Sequence, residues 1–422
     1  MFDFSSFLSN KAFITEDHHV YTYADLLGLS ERFSEHLVPR SLIFIGCENS
    51  LESIVAYVSC LRSGVVPLLL SRDVPDETLY HLEAIYHPRY CWFPSRRDLL
   101  VKGKEKYSLG GYSLIQYDGD SPVLPEGLAL LLTTSGSTGS PKLVRLSHDN
   151  LKSNACSIIE YLKITSSEKA ITSLPMYYSY GLSVLNSHLL AGATLLLTDK
   201  SYVQREFWKF VLEEKATSFA GVPFTYEILK KMRFEKFLPS SVKVMTQAGG
   251  KLNSSLIKYF SEYARLHDIR FYVMYGQTEA TARMSYLPAE YTLNKVGSVG
   301  VAIPGGHFSL IDEDGMRIVS PNVEGELVYE GSNVFWGYAE SLDDLFKGDE
   351  NKGILYTGDL AYVDSEGFYY ISGRKKRFLK LYGNRISLDF VESIVKDHCQ
   401  ECACVGSDDK LIVYVTDLDK ID

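Results

Sequence analysis

The chain has no apolar run long enough to cross a bilayer. A membrane-spanning helix needs roughly 18–20 such residues, and no uninterrupted stretch of that length occurs among its 422 residues. Nor does it open like a secretory leader: Met1-Phe2-Asp3-Phe4-Ser5 carries an acid where a leader needs basic residues. No block of lysine and arginine is long enough to act as a nucleic-acid tail, and the formal net charge is −10. Nucleic acid is therefore excluded as a main partner. The seven cysteines, at 47, 60, 91, 156, 399, 402 and 404, are odd in number and dispersed. That usage suits reduced thiols and a cytoplasmic location, not a disulfide framework. Cys399, Cys402 and Cys404 sit close together but lack a second paired half or an ordered histidine, so no metal site is expected from them. There is no internal repeat and no low-complexity segment.

Aromatic residues are plentiful, with 29 tyrosines and 21 phenylalanines. Such a supply suits deep pockets and large cores alike. Along the chain, short apolar runs ending in turn residues alternate with helical patterns. Residues 41–45 read as a strand, Ile54, Val55, Val58 and Leu61 repeat at helical spacing, Gly64 stops that helix, and 65–70 read as the next strand. Further buried strands are expected at 128–132, 194–197, 242–245 and 271–274. The alternation predicts an α/β fold with mainly parallel sheets. From about Glu324 the texture becomes turn-rich and alternating, as at 325–329 and 367–371, which predicts a smaller β-rich lobe. The basic stretch Arg374-Lys375-Lys376-Arg377 marks a boundary, leaving a tail too short for a comfortable core of its own.

The most informative stretch runs from Leu131-Leu132 into Thr133-Thr134-Ser135-Gly136-Ser137-Thr138-Gly139-Ser140-Pro141-Lys142. An apolar strand passes directly into a loop of small hydroxyl and glycine residues closed by a lysine. Glycines let backbone N–H groups approach phosphate oxygens, hydroxyls add donors and the lysine adds charge. This is not the Walker A spacing, because Pro141 stands where that motif needs its second glycine.

Thr134-Ser135-Gly136-Ser137-Thr138-Gly139-Ser140-Pro141-Lys142 resembles the TSGSTGxPK loop of the AMP-forming acyl-CoA synthetase, adenylation-domain and luciferase superfamily. One departure is Leu143, where relatives usually carry glycine. Tyr275-Gly276-Gln277-Thr278-Glu279 resembles the family's YGxTE motif, Tyr356-Thr357-Gly358-Asp359 its TGD motif, and Gly373-Arg374 opens its hinge motif, with Lys380 and Gly383 just beyond. The resemblance spans roughly residues 20–395 with the motifs in order. It implies activation of a carboxylic acid with ATP and Mg²⁺, giving an acyl-adenylate and pyrophosphate, then transfer to CoA or to the phosphopantetheine of an acyl carrier protein. It also implies residue roles. Thr134, Ser135, Gly136, Ser137, Thr138, Gly139 and Lys142 would face the triphosphate, Thr278 the α-phosphate, and Glu279 the metal. Asp359 would accept the ribose hydroxyls, Arg374 and Lys380 would reach nucleotide oxygens, and Tyr275, Gly276, Gly249 and Gly250 would complete the nucleotide site. The reaction is an in-line attack by the substrate carboxylate, so no protein nucleophile or Ser-His-Asp triad is expected. His148, in Leu146-Ser147-His148, is expected to order the following helix.

Substrate choice is expected around Pro175-Met176-Tyr177-Tyr178-Ser179-Tyr180-Gly181-Leu182. Tyr178 stands where acyl- and aryl-CoA ligases carry histidine. Ser179 stands where amino-acid adenylating relatives carry an aspartate that pairs with the substrate ammonium. A buried ammonium without a counter-ion is expensive, so a fatty, hydroxy or aromatic acid is favoured over an α-amino acid. Tyr177, Tyr178, Ser179, Tyr180, Tyr226, Ala248 and Met274 are the candidate pocket residues, with core packing the competing reading of the aromatic run. The segments at 177–190 and 275–288 also resemble adenylating enzymes of bacterial surface-polysaccharide clusters.

The expected division is an AMP-binding domain at 1–372 and a hinge with a shortened C-terminal α+β domain at 373–422, with Lys376 as hinge residue. The superfamily's late lysine, in a Pro-x-Thr-x-x-Gly-Lys pattern, does not occur before Asp422. The last segment, 403–422, reads as holding one clear strand, at 411–415. This leaves open a piece of a longer chain, a naturally short form, or a second chain that completes the domain. Two alternatives stand beside the ligase: an amino-acid adenylating enzyme loading a carrier protein, and a degenerate nucleotide-binding relative with a regulatory role. A luciferase-like oxidising activity has no cofactor signature here.

Overall fold

The computed structural model describes residues 1–95, 103–133, 142–375, 378–381, 384–395, 402–407 and 410–416. Among these, two large sheets and a smaller antiparallel one carry the architecture. The first large sheet has a parallel centre. Strand Leu42–Cys47 lies between Val66–Ser71 and Tyr90–Pro94, and Leu128–Thr133 pairs in parallel on the far side of Val66–Ser71. Its outer strands, Leu143–Ser147 and Gly337–Ala339 at one end and Tyr112–Tyr117 and Gly103–Leu109 at the other, run antiparallel. The central strands are near-continuous apolar runs because both faces are covered.

The second large sheet has the order Val301–Ala302, Ser285–Leu287, Arg270–Tyr275, Val244–Gln247, Ser218–Gly221, Lys169–Ile171, Thr194–Leu196, Lys11–Ile14, Val20–Thr22. The six strands from Arg270–Tyr275 to Lys11–Ile14 are parallel. The third sheet, Arg317–Ile318, Gly306–Ile311, Gly325–Gly331, Ile354–Val363 and Tyr369–Arg374, is wholly antiparallel. These are the α/β body and β-rich lobe expected from the alternation.

Two helices buried almost all round lie in the largest core. Leu51–Ser63 is capped by Ser50 and stopped by Gly64 in the left-handed region, where a residue without a Cβ is at ease. Ser179–Leu190 carries no Asp, Glu, Lys or Arg, as expected of a helix with no solvent face. The Tyr57 hydroxyl donates to Asn186 Oδ1 at 3.0 Å and ties the two together.

Two local expectations change. Helix His148–Leu162 is ordered by a capping box between Ser147 and Asn150, not by His148, whose buried Nδ1 has no partner. Beyond the strand expected at 411–415 and observed at Lys410–Val415, a second strand, Cys402–Ser407, pairs with it as a hairpin. Its sequence, Cys-Ala-Cys-Val-Gly-Ser, holds a single β-branched residue, Val405, too weak a signal to be read as a strand.

Candidate active site

Parallel strands present their carboxyl ends together, and ligands of such sheets bind there. Gly221, Gln247 and Val273 are neighbours in register across three adjacent strands. The following segments, Val222-Pro223, Ala248-Gly249-Gly250 and Tyr275-Gly276-Gln277-Thr278-Glu279, therefore emerge side by side. Two glycines are required where they meet. A Cβ on Gly276 would lie 1.8 Å from the Ala282 carbonyl oxygen. Gly249 has φ near +81°, and its Cβ would lie 2.5 Å from the Tyr178 hydroxyl.

The β-rich lobe brings Asp359 to the same place. The Tyr275 hydroxyl donates to Asp359 Oδ2 at 2.5 Å, and Gln277 Nε2 donates to the same oxygen at 2.9 Å and to the Thr357 carbonyl at 3.1 Å. Arg374 Nε stands 3.3 Å from Asp359 Oδ1, because Asp359 and Arg374 are register partners on adjacent strands. Asp359 is 4% exposed. Burial, and then the neighbouring Asp359 charge, push the Tyr275 phenol well above its ordinary value, so it is a fixed donor.

A second cluster surrounds Glu279. The Tyr338 hydroxyl donates to Glu279 Oε1 at 2.6 Å, and Lys142 Nζ lies 5.6 Å from the Tyr338 ring centre while pairing with Glu340 Oε1 at 2.7 Å. Behind it Arg145, with a fully buried side chain, donates to the carbonyls of Trp336, Tyr338, Lys347 and Gly348 and pairs with Glu350. This clamp fixes the strand carrying Tyr338 against the strand that follows Lys142. Glu279 and the neighbouring Thr278 hydroxyl are hard oxygen donors, the kind Mg²⁺ accepts alongside phosphate.

The acyl region lies at the start of helix Ser179–Leu190. Ser179 Oγ is 3.2 Å from Thr278 Oγ1, and the Tyr180 hydroxyl is 2.8 Å from Thr246 Oγ1. Tyr177, Tyr178, Tyr180, Ala248 and Met274 share this core with them. Tyr226 is placed apart: its ring packs against Phe260 and Phe271 in a separate core, and only its hydroxyl reaches back, to the Thr246 carbonyl at 2.8 Å. Thr134, Ser135, Gly136, Ser137, Thr138, Gly139 and Lys376 lie outside the described residues, as does the Lys380 side chain. The sequence reading missed Gln277, Tyr338, Glu340 and Arg145. Only Gln277 had a signal, its place inside the YGxTE motif.

Residues 6–339 match the model of the AMP-binding enzyme family. The chain belongs to the AMP-binding enzyme family. As such it is an ATP-dependent, AMP-forming acid–thiol ligase, forming an acyl-adenylate with Mg²⁺ before thiol transfer. The 2-succinylbenzoate–CoA ligase of Bacillus cereus is 32% identical over 96% of this chain and 86% of its own length. The 2-succinylbenzoate–CoA ligase of Bacillus subtilis is 26% identical over 94% and 82%. The solved o-succinylbenzoate CoA synthetase of Bacillus subtilis, in complex with its acyl-adenylate intermediate, superposes with a TM-score of 0.79 at 24% identity, covering 96% of this chain and 85% of that one. The same enzyme with ATP and magnesium ion gives a TM-score of 0.75, also at 24% identity, over 96% and 86%. These AMP-binding relatives lend no support to the likeness to surface-polysaccharide enzymes. Among the described residues, no helix is long and apolar enough to cross a membrane.

Proposed function

We propose that this ligase activates a carboxylic acid without an α-ammonium group and passes it to CoA, with the nucleotide held between the 275–279 segment and the β-rich lobe. The observation that carries this reading is the junction of Tyr275, Gln277, Asp359 and Arg374, residues up to 99 positions apart in the chain. Asp359, held by two donors and buried, offers carboxylate oxygens to the ribose hydroxyls, and Arg374 adds a planar fork for neighbouring oxygens. Thr278 donates to the α-phosphate and Lys142 faces the triphosphate. Glu279 would hold Mg²⁺, which when bound would neutralise phosphate charge. The chain's own residues orient the acid carboxylate beside Ser179 and Thr278 for in-line attack. An acyl carrier protein is the alternative acceptor. The division at 372/373, the hinge at Lys376 and a cytoplasmic location belong to the same proposal.

Asp359→Ala is expected to weaken ATP binding by about 1–3 kcal/mol, the scale of lost charged hydrogen bonds. Calorimetric titration with ATP and with 2′,3′-dideoxy-ATP checks it. Unchanged affinity for both nucleotides rules out the ribose role.

The helix that begins at Ser179 contains no acid, and the Arg283 guanidinium lies 5.1 Å from the Tyr180 ring centre. Both features oppose a substrate ammonium. Pyrophosphate release over a panel of acids is expected to place α-amino acids last, at least about tenfold below fatty, hydroxy and aromatic acids including 2-succinylbenzoate. A free amino acid at the head of the ranking would overturn the substrate class.

A further inference from the structure

Arg283 is a buried cation in the acyl region, and it is 2% exposed. Its Nε donates to Ser183 Oγ at 3.0 Å, and its Nη1 donates to the Tyr161 hydroxyl at 3.0 Å and faces Met274 Sδ at 3.5 Å. The Tyr180 ring covers the guanidinium. None of these partners is anionic. Among the described residues no carboxylate stands within ion-pairing distance, and Nη2 has no acceptor. A buried guanidinium without a counter-ion costs several kcal/mol. A neutral side chain would brace Ser183 and Tyr161 without that cost.

Its position gives the charge a use. Ser183 is one helical turn, ~6 Å, further along the helix than Ser179, whose hydroxyl meets Thr278. Arg283 also lines a small cavity with Val184, His188, Ala220, Thr246 and Glu168, whose carboxylate accepts from the Thr217 hydroxyl. The hydroxyl contact of Tyr180 with Thr246 borders that cavity. His188 supplies no counter-charge there: it faces the Val184 carbonyl, and burial pushes its pKa down to about 4.

We propose that Arg283 receives a second carboxylate at the far end of the acid substrate, so that the enzyme selects dicarboxylic acids over otherwise matched monocarboxylic acids. A planar fork with a free Nη2 suits a carboxylate, and the substrate's anion would supply the missing counter-ion. The proposal rests on the acid-activating reading above and narrows its substrate class.

The test is ATP- and Mg²⁺-dependent pyrophosphate release by the full chain with matched pairs: adipate and hexanoate, pimelate and heptanoate, 2-succinylbenzoate and 2-butyrylbenzoate. In the best pair the wild type should prefer the diacid by about 100-fold in kcat/KM. Arg283→Met should abolish that preference by losing the diacid while keeping or gaining the monoacid. Arg283→Lys, which keeps the charge and loses the fork, should retain a weaker preference. A wild-type ratio near one in every pair overturns the inference, whether or not the methionine variant folds. So does an equal loss of both acids in a folded Arg283→Met, which would make the residue a structural brace. Release with none of the acids overturns the acid-activating reading itself.

Discussion

Alanine at Glu279 is expected to lower acid-dependent pyrophosphate release about 100-fold, the usual consequence of removing one charge-stabilising group from a polar reaction centre. Glu279 sits just past the end of strand Arg270–Tyr275, half-buried, with one oxygen fixed by the Tyr338 hydroxyl. Its loss would remove the carboxylate proposed to hold Mg²⁺ against the triphosphate. Tyr338→Phe should cost less, since it frees the carboxylate without deleting it. Lys142→Ala should cost at least about tenfold, by loss of a cation facing the same phosphates. Steady-state release at saturating Mg²⁺ measures all three. Near-normal rates in folded Glu279→Ala and Lys142→Ala proteins would remove both residues from the proposed phosphate site.

Arg145→Met is expected to destabilise the fold by about 3–5 kcal/mol, the scale of breaking a buried charged network. The side chain is fully buried and its partners are mostly backbone: four carbonyls on two nearby segments, 191 to 203 positions from Arg145 in sequence. Those carbonyls cannot all find water when the guanidinium is gone, and each buried orphan is costly. Glu350 is about half exposed, so its share is small and Glu350→Gln should cost no more than about 1 kcal/mol. The midpoint of the first unfolding transition in urea measures the difference. An Arg145→Met midpoint that matches wild type would show that the clamp carries no such weight.

Much of this architecture was legible because its signals are local. Helix Leu51–Ser63 announces itself by apolar spacing and a terminal glycine, and strands such as Leu128–Thr133 by short apolar runs between turns. The phosphate-loop and YGxTE motifs were legible for the same reason, each being contiguous. What joins them was not. Tyr275 and Asp359 are 84 positions apart, and Tyr338 and Glu279 are 59 apart. No periodicity encodes such pairs; the sheets bring them together. Arg283 went unread because a lone arginine after a motif looks like a surface residue, and only burial among Ser183, Tyr161 and Tyr180 makes it unusual. Tyr226 carried the opposite lesson: an aromatic near the pocket in sequence packs mainly in the neighbouring core.

The pairing of Lys142 with Glu340 changes what nucleotide affinity measures. The lysine is not a bare cation awaiting phosphate, because an acid of the same chain already sits 2.7 Å from it. If Lys142 faces the triphosphate as proposed, ATP arrives by ligand exchange, one anion replacing another, and Glu340 is a placeholder. Both side chains of the pair are more than half exposed, so the departing carboxylate returns to water at little cost. The ammonium group meanwhile stays near its working position, stacked over Tyr338, through each round of loading and release.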